Sequence, residues 1–184
     1  MRGKTHLACG VAAVFTAASV AAHAGGSPEP ALWGGALFLA GCVAPDLDTP
    51  DSAVSHSLPW LHRGLALLGV RHRTLTHSLV GVAFCAAVCW ALVATSPEAL
   101  WLWPWFPAGC LFHVFLDSLS DAGVPWLWPG GRSRSIRGRT VAPGHVGLYR
   151  VGALSEYVTA AAVCAVVILS IPIWDLVLAT MPVL

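Results

Sequence analysis

Charge is what this chain has least of. Of its 184 residues only 10% are Asp, Glu, Lys or Arg, against 57% hydrophobic, and the mean hydropathy is +0.72. A water-soluble domain of this length needs far more polar surface, so a soluble globular class is excluded and lipid must cover much of the molecule. The formal net charge of +1 leaves no basic face, which excludes nucleic acid as a partner. Spaced cysteine motifs are missing too. All six cysteines lie inside apolar stretches without zinc-ribbon spacing, so they read as small buried hydrophobes rather than a disulfide framework. Cys85 and Cys89 share a helix face, which packing explains without redox chemistry. No internal repeat is visible. What is abundant is tryptophan, nine in all, a residue suited to membrane interfaces.

Apolar stretches near membrane-crossing length occupy residues 7–24, 79–94, 99–116 and 157–184. A shorter one at 31–44 is the weakest, although Pro30 suits a first helical residue and the helix can reach Leu47. The last stretch carries Pro172 and Asp175, so it is either one kinked helix or a helix followed by an interfacial piece. The first 24 residues imitate a secretory signal, with Arg2 and Lys4, an apolar run and Ala22-His23-Ala24. Cleavage there would discard His6, a residue the other motifs need, and the segment is read as a first transmembrane helix.

All ten Lys and Arg residues fall in alternate connections: Arg2 and Lys4; Arg63, Arg71 and Arg73; and Arg132, Arg134, Arg137, Arg139 and Arg150. The positive-inside rule then places these connections and the N-terminus in the cytoplasm, with about five spans. The expected fold is an all-α integral membrane helical bundle in the inner (cytoplasmic) membrane, with residues 1–184 as a single domain. Residues 58–70 suit a short helix on the cytoplasmic surface or a mobile loop. The Gly-, Pro- and Arg-rich residues 120–154 are assigned no secondary structure.

On that topology the unusual polar residues share one side. His6 enters the first helix; Asp46 and Asp48 leave the second; His72 and His77 enter the third; His113 and Asp117 leave the fourth; Glu156 enters the fifth. His113 and Asp117 are four apart on one helix face. Each group also has a local explanation: Asp46 and Asp48 as a helix stop and cap, Thr74, Thr76 and Ser78 as a capping cluster, Asp117 as a turn cap. Their coincidence in one layer favours ligation, because buried carboxylates repel one another unless cations intervene. The metal ligands expected are His6, Asp46, Asp48, His72, His77, His113, Asp117 and Glu156. Without thiolates such a set suits zinc, manganese or iron, and its size suggests two divalent ions. His23 lies on the other side, and His56, His62 and His145 sit in loops without a helix to fix them, so none is expected to ligate.

At these residues the chain resembles the YdjM-like family of membrane-bound metal-dependent hydrolases. The blocks are Thr5-His6-Leu7, Pro45-Asp46-Leu47-Asp48 with Pro50, residues 72–78 (His-Arg-Thr-Leu-Thr-His-Ser), and His113-Val114-Phe115-Leu116-Asp117 with Gly123-Val124-Pro125 and Trp128-Pro129. The resemblance implies a hydrolase with His and Asp ligands, and the family label adds binding to the repressor LexA, for which no docking surface is legible here. Where other members have a His after the aspartate pair, this chain has Thr49.

The function expected is hydrolysis of a phosphoester, lipid-linked or otherwise amphiphilic, at the cytoplasmic membrane face. Glu156 or Asp48 would assist catalysis, and Arg73, Arg132 and Arg134 would contact the anionic substrate. Orientation by the positive-inside rule explains the same arginines without a substrate. Membrane lipid is the expected partner; oligomeric state is open. The rivals are a cation transporter, which needs a polar trail continuing outward, and a non-catalytic adaptor with a structural metal.

Overall fold

The computed structural model describes residues 1–130, 134–136 and 139–180, with 134–136 and 139–140 described as backbone. Among the described residues eight α-helices run in the order α1 (Gly3–His23), α2 (Glu29–Gly41), α3 (Ala53–Ser57), α4 (Pro59–Leu67), α5 (Leu79–Val93), α6 (Trp105–Ser118), α7 (Leu154–Leu169) and α8 (Ile171–Thr180). Short 3-10 turns at Ala44–Asp48, Leu75–His77 and Pro97–Leu102 precede or follow them. Four segments are long and apolar enough to cross a bilayer: Gly3–His23, Glu29–Asp48, Pro97–Ser118 and Leu154–Thr180. The all-α membrane bundle read from the sequence is therefore present.

The weakest crossing is not the second one. Carried through the 3-10 turn, α2 reaches Asp48 and makes 20 residues, whereas α5 has only 15, or about 22 Å at 1.5 Å per residue against roughly 30 Å of hydrocarbon. Helices α7 and α8 meet at Ser170, where the backbone N–H of Trp174 still donates to the Ser170 carbonyl at 3.1 Å. That agrees with the kinked-helix reading.

Small residues set the packing. A Cβ on Gly41 would strike the Phe106 carbonyl, and one on Gly109 would strike that of Phe38, so α2 and α6 touch backbone to backbone. Such approach lets dispersion hold helices together where lipid offers no hydrophobic gain. Helix α1 lies between α2 and α7: Val14 fills the space over Gly35, and the Thr16 hydroxyl donates to the Val167 carbonyl at 3.3 Å.

The described residues between 120 and 154 carry more structure than their composition suggests. Strands β1 (Arg134–Ile136) and β2 (Arg139–Val141) pair antiparallel, with Arg134 opposite Val141. Backbone bonds from Val146 to Ser118, Leu148 to Leu119 and Asp121 to Tyr149 tie the segment across the end of α6. Gly and Pro removed the periodicity by which a sequence announces such a cap, and non-local pairing supplies the order instead. Residues 59–67 form the short helix expected there, with no buried residue.

Candidate metal centre

Each histidine of the centre is delivered by a helix end and fixed by its own neighbours. Ser78 caps α5 by accepting from the Gly81 N–H at 3.2 Å, which seats His77 in the 3-10 turn just before. A turn later than Gly109, His113 reaches back to α2, where Nδ1 faces the Cys42 carbonyl at 2.8 Å. His6, in the first turn of α1, faces the Arg2 carbonyl through Nδ1 at 3.3 Å. His77 Nδ1 lies 3.3 Å from Asp48 Oδ2. A carbonyl or carboxylate only accepts, so all three Nδ1 atoms must carry the proton, leaving three bare Nε2 lone pairs.

Those lone pairs face the same place. His77 Nε2 and His113 Nε2 stand 3.2 Å apart, and the His6 ring stacks on His113 with centroids 3.8 Å apart. His6 Nε2 is buried without any hydrogen-bond partner. Two carboxylates complete the set. Asp46 Oδ1 is 3.6 Å from His113 Nε2 and 3.9 Å from His77 Nε2, and Asp117 Oδ2 is 3.7 Å from His77 Nε2 and 4.0 Å from His113 Nε2. The other Asp117 oxygen is 3.5 Å from His6 Nε2. Donors tetrahedrally arranged at metal–ligand lengths of 2.0–2.2 Å are separated by about 3.3–3.6 Å. The observed spacings bracket that separation, and without a cation two facing lone pairs would simply repel.

Two ligand groups, His6–Asp46–His113 and His77–His113–Asp117, thus share His113, and a third, Asp48–His72–His77, adjoins them through His77. Seven of the eight expected ligands fall in these groups, though not in equal roles. Asp48 holds rings rather than facing the centre: its oxygens take His72 Nδ1 at 2.8 Å, His77 Nδ1 and the Thr76 hydroxyl. A carboxylate on the far nitrogen of a ligating imidazole is the usual outer support of a metal site. His72 lies at the mouth, its side chain 44% exposed.

Glu156 is not at the centre. It is fully buried and joins none of the ligand groups. Both its oxygens are taken at 2.6 Å, one by the Arg2 N–H and the Thr5 hydroxyl, the other by the Gly152 N–H. Three donors on one carboxylate leave it neither ligand nor base; it clamps α7 to α1. Arg73 is likewise corrected from substrate contact to internal partner. Its guanidinium donates to Asp117 Oδ2 at 3.0 Å, the Gly123 carbonyl at 2.8 Å and Ser120 Oγ at 3.2 Å. Arg132 lies outside the described residues, and Arg134 is described only as backbone in β1.

Two residues of the site were not singled out in the sequence. Ser55, buried, turns its hydroxyl to the carbonyls of Thr49 (2.6 Å), Asp46 and Leu47 (both 3.2 Å), fixing the segment that carries the aspartates. Ser52, which caps α3 three residues earlier, was the available signal. Tyr149, brought in by the cap, lies 3.0 Å from the Leu116 carbonyl and 3.3 Å from Asp117 Oδ1. Burial, with the nearby Asp117 charge, pushes its phenol well upward, so it stays a donor. The Met1 amino group also donates to Asp117. His23 pairs with Asp175 at 3.0 Å, apart from the centre, and His62 and His145 face backbone carbonyls.

A helical membrane protein with a buried His–Asp centre at its helix ends is the class this arrangement defines. Within that class the chain belongs to the YdjM inner membrane protein family, whose model matches residues 1–180. It is 37% identical over 97 residues to the inner membrane protein YdjM of Escherichia coli (strain K12), covering 48% of this chain and 45% of that protein, and the Shigella flexneri protein of the same name matches equally. The chain thus spans about half the length of these curated relatives. No solved structure matches it.

Proposed function

We propose that the chain is a metal-dependent hydrolase acting at the cytoplasmic face of the membrane on a phosphoester of an amphiphile. The observation that carries this reading is the convergence of three buried, proton-free Nε2 atoms with Asp46 and Asp117. These donors form two groups of three that share His113, His6–Asp46–His113 and His77–His113–Asp117, an arrangement that accommodates two neighbouring ions. Three imidazoles and two carboxylates without thiolate suit zinc, manganese or iron. The metal would supply Lewis acidity and acidify a water. His6, His77 and His113 would hold it, Asp48 would fix the His77 ring, and Arg73 would balance the Asp117 charge. His72 and Thr49 line the mouth. The cytoplasmic orientation is supported by the sequence positions of the Lys and Arg residues, all in alternate connections.

The test is elemental analysis of detergent-purified wild type, His113→Gln and His72→Ala, followed by a phosphoester panel. Wild type should carry metal, His113→Gln, at the residue the two groups share, should lose it, and His72→Ala, at a more exposed residue, should keep it. Equal metal in wild type and His113→Gln sinks the site. A metal-loaded protein inert on every phosphoester sinks the hydrolase.

A further inference from the structure

The cap holds a cavity that the metal chemistry does not use. It measures about 350 Å3 and is lined by Pro125, Trp126, Leu127, Gly130, Pro143 and Gly144, within the roughly 300–1,000 Å3 range of small-ligand sites. Gly144 makes it possible, since any Cβ there would strike the Trp126 indole. Among the described residues no lining side chain carries charge, and the lining is mostly apolar, which suits a hydrocarbon occupant. Leu127 stands 71% exposed at its edge, and Val146 and Leu148, a few residues after the lining residue Gly144, are also exposed. In water such a surface would be costly; in contact with hydrocarbon it is not.

Lipid is the occupant that the surroundings indicate. The Trp126 carbonyl accepts the N–H of Leu79, the first residue of α5, at 2.9 Å. From there exposed apolar side chains run along α5 through Val80, Phe84, Val88 and Leu92, the face that a bilayer covers. The lining residue Trp126 is thus tied to the start of that exposed apolar face. The chain links the lining to the metal centre in short steps: Leu79 is two residues from His77, and Gly123, two residues before the lining residue Pro125, accepts through its carbonyl from Arg73, which also donates to Asp117.

We infer that this cavity seats an acyl chain of a bilayer phospholipid and, resting on the hydrolase reading, that it presents the headgroup phosphoester of that lipid to the metal centre. The hydrocarbon contributes binding through burial, at about 0.8 kcal/mol per CH2, and fixes how deep the head can lie.

The full chain, reconstituted in phosphatidylcholine and phosphatidylglycerol vesicles doped with a phospholipid bearing a diazirine in its acyl chain, tests this by irradiation and peptide mapping. Adducts are expected at residues 125–130 and 143–144 besides those on the spanning helices. Leu127→Glu, at an exposed position, should cut the cavity adducts about tenfold or more, because a carboxylate in hydrocarbon is strongly disfavoured. The uncharged Leu127→Gln should fall between, and metal content should stay unchanged in both. Adducts confined to the spanning helices, or cavity adducts undiminished in both variants, overturn the acyl seat. Metal content is read on the same samples, so a wild type without metal sinks the hydrolase while leaving the lipid result interpretable.

Discussion

A neutral imidazole offers one bare nitrogen, and its environment decides which. Here Asp48 makes that decision for His77, while the Cys42 and Arg2 carbonyls make it for His113 and His6. Asp48→Asn should therefore leave the fold intact yet weaken metal affinity by about 10–100-fold, the usual cost of losing such an outer partner; competition against a chromogenic chelator measures it. Arg73 invites a paired test, since it is the one non-glycine residue with positive φ (56°) among the described residues. Arg73→Ala leaves Asp117 without its guanidinium and keeps the left-handed strain, whereas Arg73→Gly removes the strain as well. Thermal melts should show both destabilised, by on the order of 3 kcal/mol, with the glycine variant less so by about 1 kcal/mol. Equal melts would mean the backbone conformation costs nothing. His6, Asp46, His77, His113 and Asp117 were legible because ionisable groups at apolar helix ends are few. Glu156 was legible as an unusual charge but not in its role, since two of its three donors are backbone N–H groups that no residue type announces.

Among the elements, the α2–α6 contact is the least tolerant. Gly109→Leu has to displace the Phe38 carbonyl, beyond the roughly 1–3 kcal/mol of ordinary overpacking, and this carries Cys42 away from His113. The expected outcome is a protein that neither holds metal nor elutes as a single species on size exclusion; a monodisperse, metal-loaded variant would refute the contact. Hydropathy found the spanning segments, since length and composition are local properties. It misjudged which was shortest, because the 3-10 turn that carries α2 on to Asp48 depends on Ser55 and Ser52. The cap escaped it altogether, its order arising from pairings such as Val124 with Gly144.

For the molecule as a whole, metal and fold are linked through pH. Ligating imidazoles must be neutral, so protons compete with any ion the centre holds and metal-linked stability falls as pH is lowered. The rise in melting temperature on adding zinc should shrink as pH is lowered from neutrality; a rise that stays unchanged down to acid unfolding would exclude histidine ligation. The Glu156 clamp adds a constraint of order. The carboxylate that pins α1 lies some 150 positions after the threonine it accepts from. A chain that has inserted everything up to α6 carries His6, Asp46, His77, His113 and Asp117 and still has no fixed place for the first of them, so the centre takes its final geometry only once α7 has docked on α1.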